Sequence, residues 1–358
     1  MLTNIISLRL SRIFTAFVFV CFFQVATALP LKLTIKDCKN PPPRIIRTCC
    51  AFGTDLHVLA IQKIKINDVT SVEKIGSHTY LGSANEGNGI LYTKRGGFID
   101  LGHLRDQADW TAYLNSIILL NKSKGQMKLN LGIEGGKKSI DIKWETDIDS
   151  IDIIRLAGKI AYDLSVWHEI STWFGASYVP FVPERYSSFS VEDIYSNLLG
   201  VTLGIEALKS NLPFEEAMTI LLNARIAELE AVNTEKETLE ALEATKNIWW
   251  TNEKSLPSKN ILLKHQCEAY PGASPWLIPS NNDSARPYYL NLETLASNGQ
   301  KLNDFYEFQI KLNLKLAEKK TMKAYNKKIL TQNDFVPLLK SIELEMQKEF
   351  DGAAQLNR

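Results

Sequence analysis

The side chains best suited to catalysis or metal binding lie near position 100. A helix is predicted to begin there, at about Asp100. Helical spacing then collects the polar residues of this segment on one side, opposite an apolar face. They are Asp100, His103, Asp106, Gln107 and Trp110. An imidazole between two carboxylates suits metal ligation, since His nitrogen and Asp oxygen are ordinary ligands, and it equally suits a carboxylate-oriented general base.

A purely structural interpretation of this segment is equally open. Asp100 would be an N-cap, Arg105 would pair with Asp109 one turn later, and His103 would pack in the interior. Two features favour a functional interpretation instead. The glycine pair before the helix and the number of polar groups on one helix face exceed what packing alone needs.

His168 and Glu169 form a second reactive segment, on a helix that ends at Gly175. Zinc peptidases carry H-E-x-x-H, in which two histidines one turn apart bind the ion and the glutamate activates water. Thr172 occupies the place of the second histidine, so that motif is absent. The pair remains suitable as one ligand and one base if its helix lies beside His103; a buried helix with a hydrogen-bonded histidine is the alternative.

We expect three of the five histidines to converge on a divalent metal, most readily zinc. The expected ligands are His78, His103 and His168. Glu169 is the expected base, with Asp106 and Asp100 as further catalytic carboxylates. Metal-assisted attack by water needs about three protein ligands, an open position and a nearby carboxylate. The sequence therefore predicts a metal-assisted hydrolase.

Polar and aromatic side chains near these segments are the expected substrate-binding groups. They are Trp110, Trp173, Arg105, Glu184 and Tyr186. Tryptophans equally suit a groove for a sugar or a lipid, so a non-enzymatic envelope protein that binds a glycan, a lipid or a protein partner is the alternative function. A third hypothesis is an enzyme with a His–Asp general base and no metal. For an enzyme, the substrate would be a glycan, lipid or peptide of the cell envelope.

Several blocks of sequence occur here in a fairly specific combination. They are 96–100, His103, 105–106, 109–110, 168–169, 172–173, 188–190, 192–193 and 195–200. Together they resemble a bacterial family of exported proteins known only as a domain of unknown function, over roughly residues 42–276. The resemblance implies a Gram-negative envelope location, and it supplies no activity, fold or catalytic residue.

Residues 1–28 are predicted to be a cleavable secretory signal peptide. Arg9 and Arg12 precede an almost wholly apolar run over 13–25, and small residues at 26 and 28 suit a signal peptidase. The run is shorter than the roughly 20 residues that a membrane helix needs. We therefore expect cleavage near Ala28 and a periplasmic or secreted protein, with a retained anchor as the alternative.

Removal of residues 1–28 would leave 39 basic and 40 acidic side chains, a formal charge of −1. This balance argues against nucleic acid as a partner. The chain contains no G-x-S-x-G, phosphate-binding or dinucleotide-binding pattern. The four remaining cysteines suit an oxidising compartment, and we expect Cys49 and Cys50 to pair separately with Cys38 and Cys267, in either combination.

The predicted fold class is helix-rich α+β, in which a small β portion packs on a bundle of helices. Residues 29–47 are proline-rich and should run extended, and 48–350 should form a single large globular domain, with its β part before about 148. Alternating residues around Gly135 and Gly136 predict a hairpin over about 126–144. Helices should follow it.

A lysine-rich amphipathic helix is predicted over about 304–329. Its basic face would ordinarily be a solvated surface. Peripheral contact with anionic lipid headgroups is the functional alternative for this segment.

Overall fold

A computed structural model of the chain describes residues 32–47, 52–53, 56–58, 62–64, 69–177, 185, 187–251, 258–259, 270–278, 285–317, 319–325 and 327–356. The predicted signal peptide, and with it the expected cleavage near Ala28, lies outside these residues.

Strands and helices are numbered here in chain order over the described residues. The strands are β1 Leu56–Val58, β2 Gln62–Ile64, β3 Ile90–Thr93, β4 Gly97–Asp100, β5 Gln126–Ile133, β6 Gly136–Lys143, β7 Trp250–Thr251, β8 Ser258–Lys259, β9 Tyr306–Leu312 and β10 Ile329–Leu330. The helices are α1 Leu101–Leu120, α2 Ser150–Trp173, α3 Asp193–Lys209, α4 Phe214–Glu228, α5 Glu235–Ala244, α6 Leu314–Ala317, α7 Lys320–Tyr325 and α8 Phe335–Leu356. The chain is therefore helix-rich α+β, as predicted.

The main sheet is antiparallel and four-stranded, in the order β10, β9, β6, β5. Strands β5 and β6 form the predicted hairpin, with Leu129 opposite Ile140 and Met127 opposite Ile142. These side chains lie on the face that packs into the main core, while Lys128 and Asp141 lie on the outward face. Gly135, in the hairpin turn, has φ of 64°, a conformation that glycine adopts without strain.

The prediction of a lysine-rich helix over 304–329 is wrong, since most of its first third is strand β9. Burial alternates along this strand: Tyr306, Phe308 and Ile310 are buried, and the residues between them face outward. That period of two fits a strand beside β6, where those three residues cover the core. Only the short helices α6 and α7 follow. Lysines beyond β9 gave the segment a polar composition that obscured the alternation.

Helices α1, α2 and α3 pack against one another beside this sheet. Helix α1 begins directly after strand β4, because the Asp100 side chain accepts a hydrogen bond from the His103 backbone N–H at 3.0 Å. Helix α2 ends before Gly175, whose φ is 93°. The main core includes residues of these helices, of the sheet and of α8. No helix in the described part of the chain is long and apolar enough to cross a membrane.

Candidate functional site

A cleft opens where helices α1, α2 and α3 meet the β5–β6 hairpin and the N-terminal segment. Its volume is about 50 Å³, which is room for only a few water molecules. The lining residues are Arg44, Ile45, His103, Asp106, Gln107, Trp110, Glu134, Lys138, Leu164, Ser165, His168 and Asn197.

His168 meets a buried carboxylate at the cleft wall. Its Nδ1 lies 2.7 Å from Glu134 Oε1 and 3.4 Å from the Arg44 guanidinium nitrogens. A carboxylate only accepts hydrogen bonds, so the shorter contact assigns a proton to Nδ1, which then cannot accept one from Arg44. In the neutral ring, Nε2 carries the lone pair. This nitrogen has no hydrogen-bond partner among the described residues, and the side chain is 22% exposed.

Glu134 is fixed by charge and by packing. Lys138 Nζ and Arg44 Nε each lie 2.5 Å from a Glu134 oxygen. Burial alone would raise the pKa of this carboxyl, but Lys138, His168 and Arg44 together hold the pKa well below its usual range. Glu134 is therefore ionised when it faces His168.

The hairpin turn packs closely against α2 because its residue 135 is a glycine. A side chain at Gly135 would lie 2.5 Å from Leu316 and 3.2 Å from Ser171 on α2. The Trp167 indole N–H also donates to the Glu134 carbonyl oxygen at 3.1 Å. This close approach places Glu134 beside His168.

His103 forms a second imidazole–carboxylate pair in the same cleft. Its Nδ1 lies 3.1 Å from Asp193 Oδ1, and the imidazole is 12% exposed. The Asp193 carboxylate is itself fixed by a hydrogen bond that it accepts from the Ser190 backbone N–H at 2.8 Å. Helices α1 and α3 therefore supply one pair, while helix α2 and the hairpin supply the other.

Glu169 and Glu192 are buried carboxyls close to Asp193 that do not line the cleft. Burial, and then the charge of Asp193, raises the pKa of Glu169 to about 7. The same two causes raise the pKa of Glu192 well above its usual range. Glu169 accepts a hydrogen bond from the Phe189 backbone N–H at 2.6 Å, and Phe189 has φ of 56°. The predicted base thus lies near the His103 pair rather than on the cleft wall.

His78 lies apart from the cleft. Its Nε2 donates to Asp109 Oδ1 at 3.0 Å, and its side chain is fully buried. Asp109 also faces Arg47 at 2.8 Å, and Arg47 contacts Glu86 at 2.6 Å and Asp106 at 3.0 Å. The structure therefore brings together two of the three predicted ligands, His103 and His168. It places His78 in the buried ion network of Arg47, outside the cleft lining.

The three predicted ligands do not combine into a zinc site as the structure places them. Across the described ranges, no group of three or more His, Cys, Asp or Glu side chains is arranged to hold a metal ion. A metal held by His103 or His168 with other donors stays a prediction.

The expected catalytic carboxylates near position 100 have clear structural contacts. Asp100 is the N-cap of α1, as the structural interpretation expected. Asp106 lines the cleft, where burial raises its pKa to about 6 although Arg47 lowers it. Close contacts explain the glycine pair before the helix. A side chain at Gly96 would lie 2.8 Å from Thr93 Oγ1, and one at Gly97 would lie 2.2 Å from the Trp276 carbonyl oxygen.

Of the expected substrate-binding residues, only Trp110 lines the cleft among those described. Arg105 is fully buried and contacts Glu86 at 3.3 Å, so it does not form the expected pair with Asp109. Trp173 is buried, and its indole N–H donates to Glu345 at 3.1 Å. Glu184 and Tyr186 lie outside the described residues.

Cys38 is a buried free thiol, so the disulfide expected for it is not formed. Burial raises the pKa of this thiol, as does Asp37. Cys49, Cys50 and Cys267 lie outside the described residues.

Both carboxylates of the two pairs, Glu134 and Asp193, were missed from the sequence. Arg44 and Lys138, the cations that contact Glu134, were missed as well. Glu134 has a recognisable signal, an acidic residue directly before the glycines of a hairpin turn. Arg44 and Asp193 come from distant segments, and only the fold shows their proximity to the cleft.

The molecule is thus a helix-rich α+β protein whose cleft carries two imidazole–carboxylate pairs. The family model described as "Protein of unknown function (DUF4056)" matches residues 38–279, and the chain belongs to this family. No curated protein and no solved structure matches the chain.

Proposed function

We propose that this protein is a hydrolase that works by general acid–base catalysis in the cleft, with His168 as the base. One observation carries the proposal. His168 is oriented through Nδ1 by an ionised buried carboxylate, and its other nitrogen has no partner among the described residues at a partly open cleft wall. This is the arrangement in which a carboxylate fixes the imidazole tautomer and stabilises the imidazolium that forms.

Each side chain has a defined task in this reaction. His168 Nε2 takes a proton from water as the water attacks the substrate, and Glu134 stabilises the resulting imidazolium. His103, which lies beside the Asp193 carboxylate, donates a proton to the leaving group. Transfer by one such group typically accelerates a reaction by about 10²–10⁴-fold.

This mechanism is the metal-free form of the hydrolase expected from the sequence. It retains His103 and His168 and moves the base from Glu169 to His168. The zinc-assisted route and the tryptophan-lined binding groove remain predictions, and Trp110 is the only tryptophan found in the cleft lining of the described chain.

The test is hydrolysis of chromogenic nitrophenyl esters, phosphates and glycosides and of peptide nitroanilides by the purified protein. We expect turnover of at least one class and a loss of about 10²-fold or more in kcat for His168→Gln. Glu134→Gln should lower kcat as well. The double variant should be no worse than His168→Gln, because the two residues act as one unit.

Ser165→Ala is the matched control. Ser165 lines the same cleft, but its hydroxyl donates to the Tyr162 carbonyl oxygen at 2.7 Å, so its loss should change kcat little. Full activity of folded His168→Gln, or additive losses in the double variant, would contradict the proposal. Elemental analysis of the same preparations tests the zinc-assisted route separately.

A further inference from the structure

A row of exposed side chains crosses the outward face of the main sheet, at the end where the β5–β6 hairpin turns. Strand register places Ile133 opposite Lys137, Lys137 opposite Lys311 and Lys311 opposite Ile329. We call these four residues the Ile–Lys row. Ile133 is 71% exposed and Ile329 is 48% exposed, and both lysines are exposed.

Neither of the two lysines in the middle of the row, Lys137 and Lys311, has its charge balanced by an ion pair within the described part of the chain. Like charges directly opposite each other on neighbouring strands destabilise a sheet, and nearby anions would relieve that cost. The two isoleucines beside them likewise leave apolar surface in water.

The segment between β9 and β10 lies at the same end of the sheet, because it joins the ends of these two strands. Residues 313–328 contain six lysines and one acid, Glu318. Lys315 donates to the Gly175 carbonyl oxygen at 2.8 Å, and Lys327 pairs with Asp334. Leu314 is 81% exposed. This end of the sheet therefore combines basic side chains with isolated protruding apolar ones.

We propose that this end of the sheet docks on the surface of an anionic lipid bilayer. The lysines contact headgroup phosphates, and Ile133, Leu314 and Ile329 enter the interfacial layer. Positive charge complements the anionic surface, as in polybasic segments of peripheral proteins. The apolar side chains are separated by lysines and form no continuous groove, which suits a lipid interface better than a protein partner.

Docking does not depend on the proposed hydrolase activity. It would determine where the cleft lies relative to the lipid surface. Ile133 directly precedes Glu134, the carboxylate that orients His168. A docked molecule would hold the cleft close to the lipid surface.

The test is co-sedimentation of the full chain with phosphatidylcholine vesicles that contain or lack about one third phosphatidylglycerol. We expect binding only to the anionic vesicles, and weaker binding as salt rises. Lys137→Gln with Lys311→Gln should weaken binding by roughly 10- to 30-fold, since each lysine near such a surface contributes about fivefold. Leu314→Asn should weaken it by about tenfold, because it removes the apolar contact.

Control variants carry the same changes away from the sheet. Lys209→Gln with Lys236→Gln removes two exposed helical lysines, and Ile220→Asn removes a side chain that is 52% exposed on α4. Both should bind as the original protein does, and all forms share any contribution of residues 1–28. Equal binding to neutral vesicles, unchanged binding of the sheet variants, or binding of soluble polyphosphate without binding of vesicles would overturn the proposal.

Discussion

At the scale of single residues, the carboxyls beside His103 combine burial with mutual repulsion. Glu169 is 2% exposed and lies close to Asp193, and these two causes raise its pKa to about 7 from a reference of 4.5. The folded protein therefore binds a proton at Glu169 over a range of pH in which the unfolded chain has released it. Stability from this site is fully present below pH 4.5 and is lost as pH rises through about 7.

Replacement of Glu169 by Gln should remove this pH dependence. The amide keeps an oxygen that accepts the Phe189 N–H and carries no charge at any pH. Relative to the original protein, we expect Glu169→Gln to gain stability between pH 4.5 and 7, by up to about 3 kcal/mol at the upper end. Urea unfolding at several pH values measures the gain. Exposed Glu216→Gln should show no such trend, and a constant difference for Glu169→Gln would refute the explanation.

At the scale of elements, the cleft depends on how closely helices α1 and α3 approach each other. A side chain at Gly200 would lie 1.9 Å from the Leu104 carbonyl oxygen, which belongs to the α1 backbone. At Gly204, one turn further along α3, the nearest α1 atom would lie 3.1 Å away. The close spacing of α1 and α3, the helices that carry His103 and Asp193, therefore requires a glycine at position 200.

Gly200→Ala should separate these two helices. Overpacking of this kind costs typically about 1–3 kcal/mol and sometimes more, which exceeds the roughly 1 kcal/mol that Ala gains over Gly in a helix. We expect a net loss of about 2 kcal/mol for Gly200→Ala and a smaller effect for Gly204→Ala, measured by denaturant unfolding. Equal stabilisation of both variants would show that the helices tolerate a wider spacing.

Local sequence patterns predicted helices and strands well where a single hydrophobic period, helical or alternating, dominated the segment. The hairpin around Gly135 and the helix that starts after Asp100 both form, because alternation and an N-cap act within a few residues. Strand β9 was missed because the lysine-rich sequence that follows it suggested a single amphipathic helix. Two of the candidate site's histidines were found, whereas Glu134 and Asp193 become partners only through contacts between distant segments.

At the scale of the whole molecule, a buried ion network joins three separate parts of the chain. Arg47 from the N-terminal segment contacts Glu86 at 2.6 Å and Asp109, on α1, at 2.8 Å. The same segment contributes Arg44 to the cleft, so the network also fixes one wall of the site. Although burial raises the pKa of Glu86, Arg47 and the Thr79 N–H lower it to about 2. That stability is present above pH 4.5 and is lost as pH falls through about 2.

Arg47→Met should therefore destabilise the entire fold. It keeps much of the side-chain volume but leaves Glu86, Asp106 and Asp109 buried without their shared cation, a change that typically costs about 3–5 kcal/mol. The deficit should shrink as pH falls from 5 towards 2, because the original protein then loses the stability that the ionised Glu86 gains from Arg47. Arg225→Met is the control: its partners Glu206 and Glu228 are 36% and 46% exposed, so it should cost about 1 kcal/mol or less at any pH. Guanidinium unfolding at pH 7, 5 and 3 measures both variants, and a deficit for Arg47→Met that stays constant or grows on acidification would mean that the network does not hold these segments together by charge.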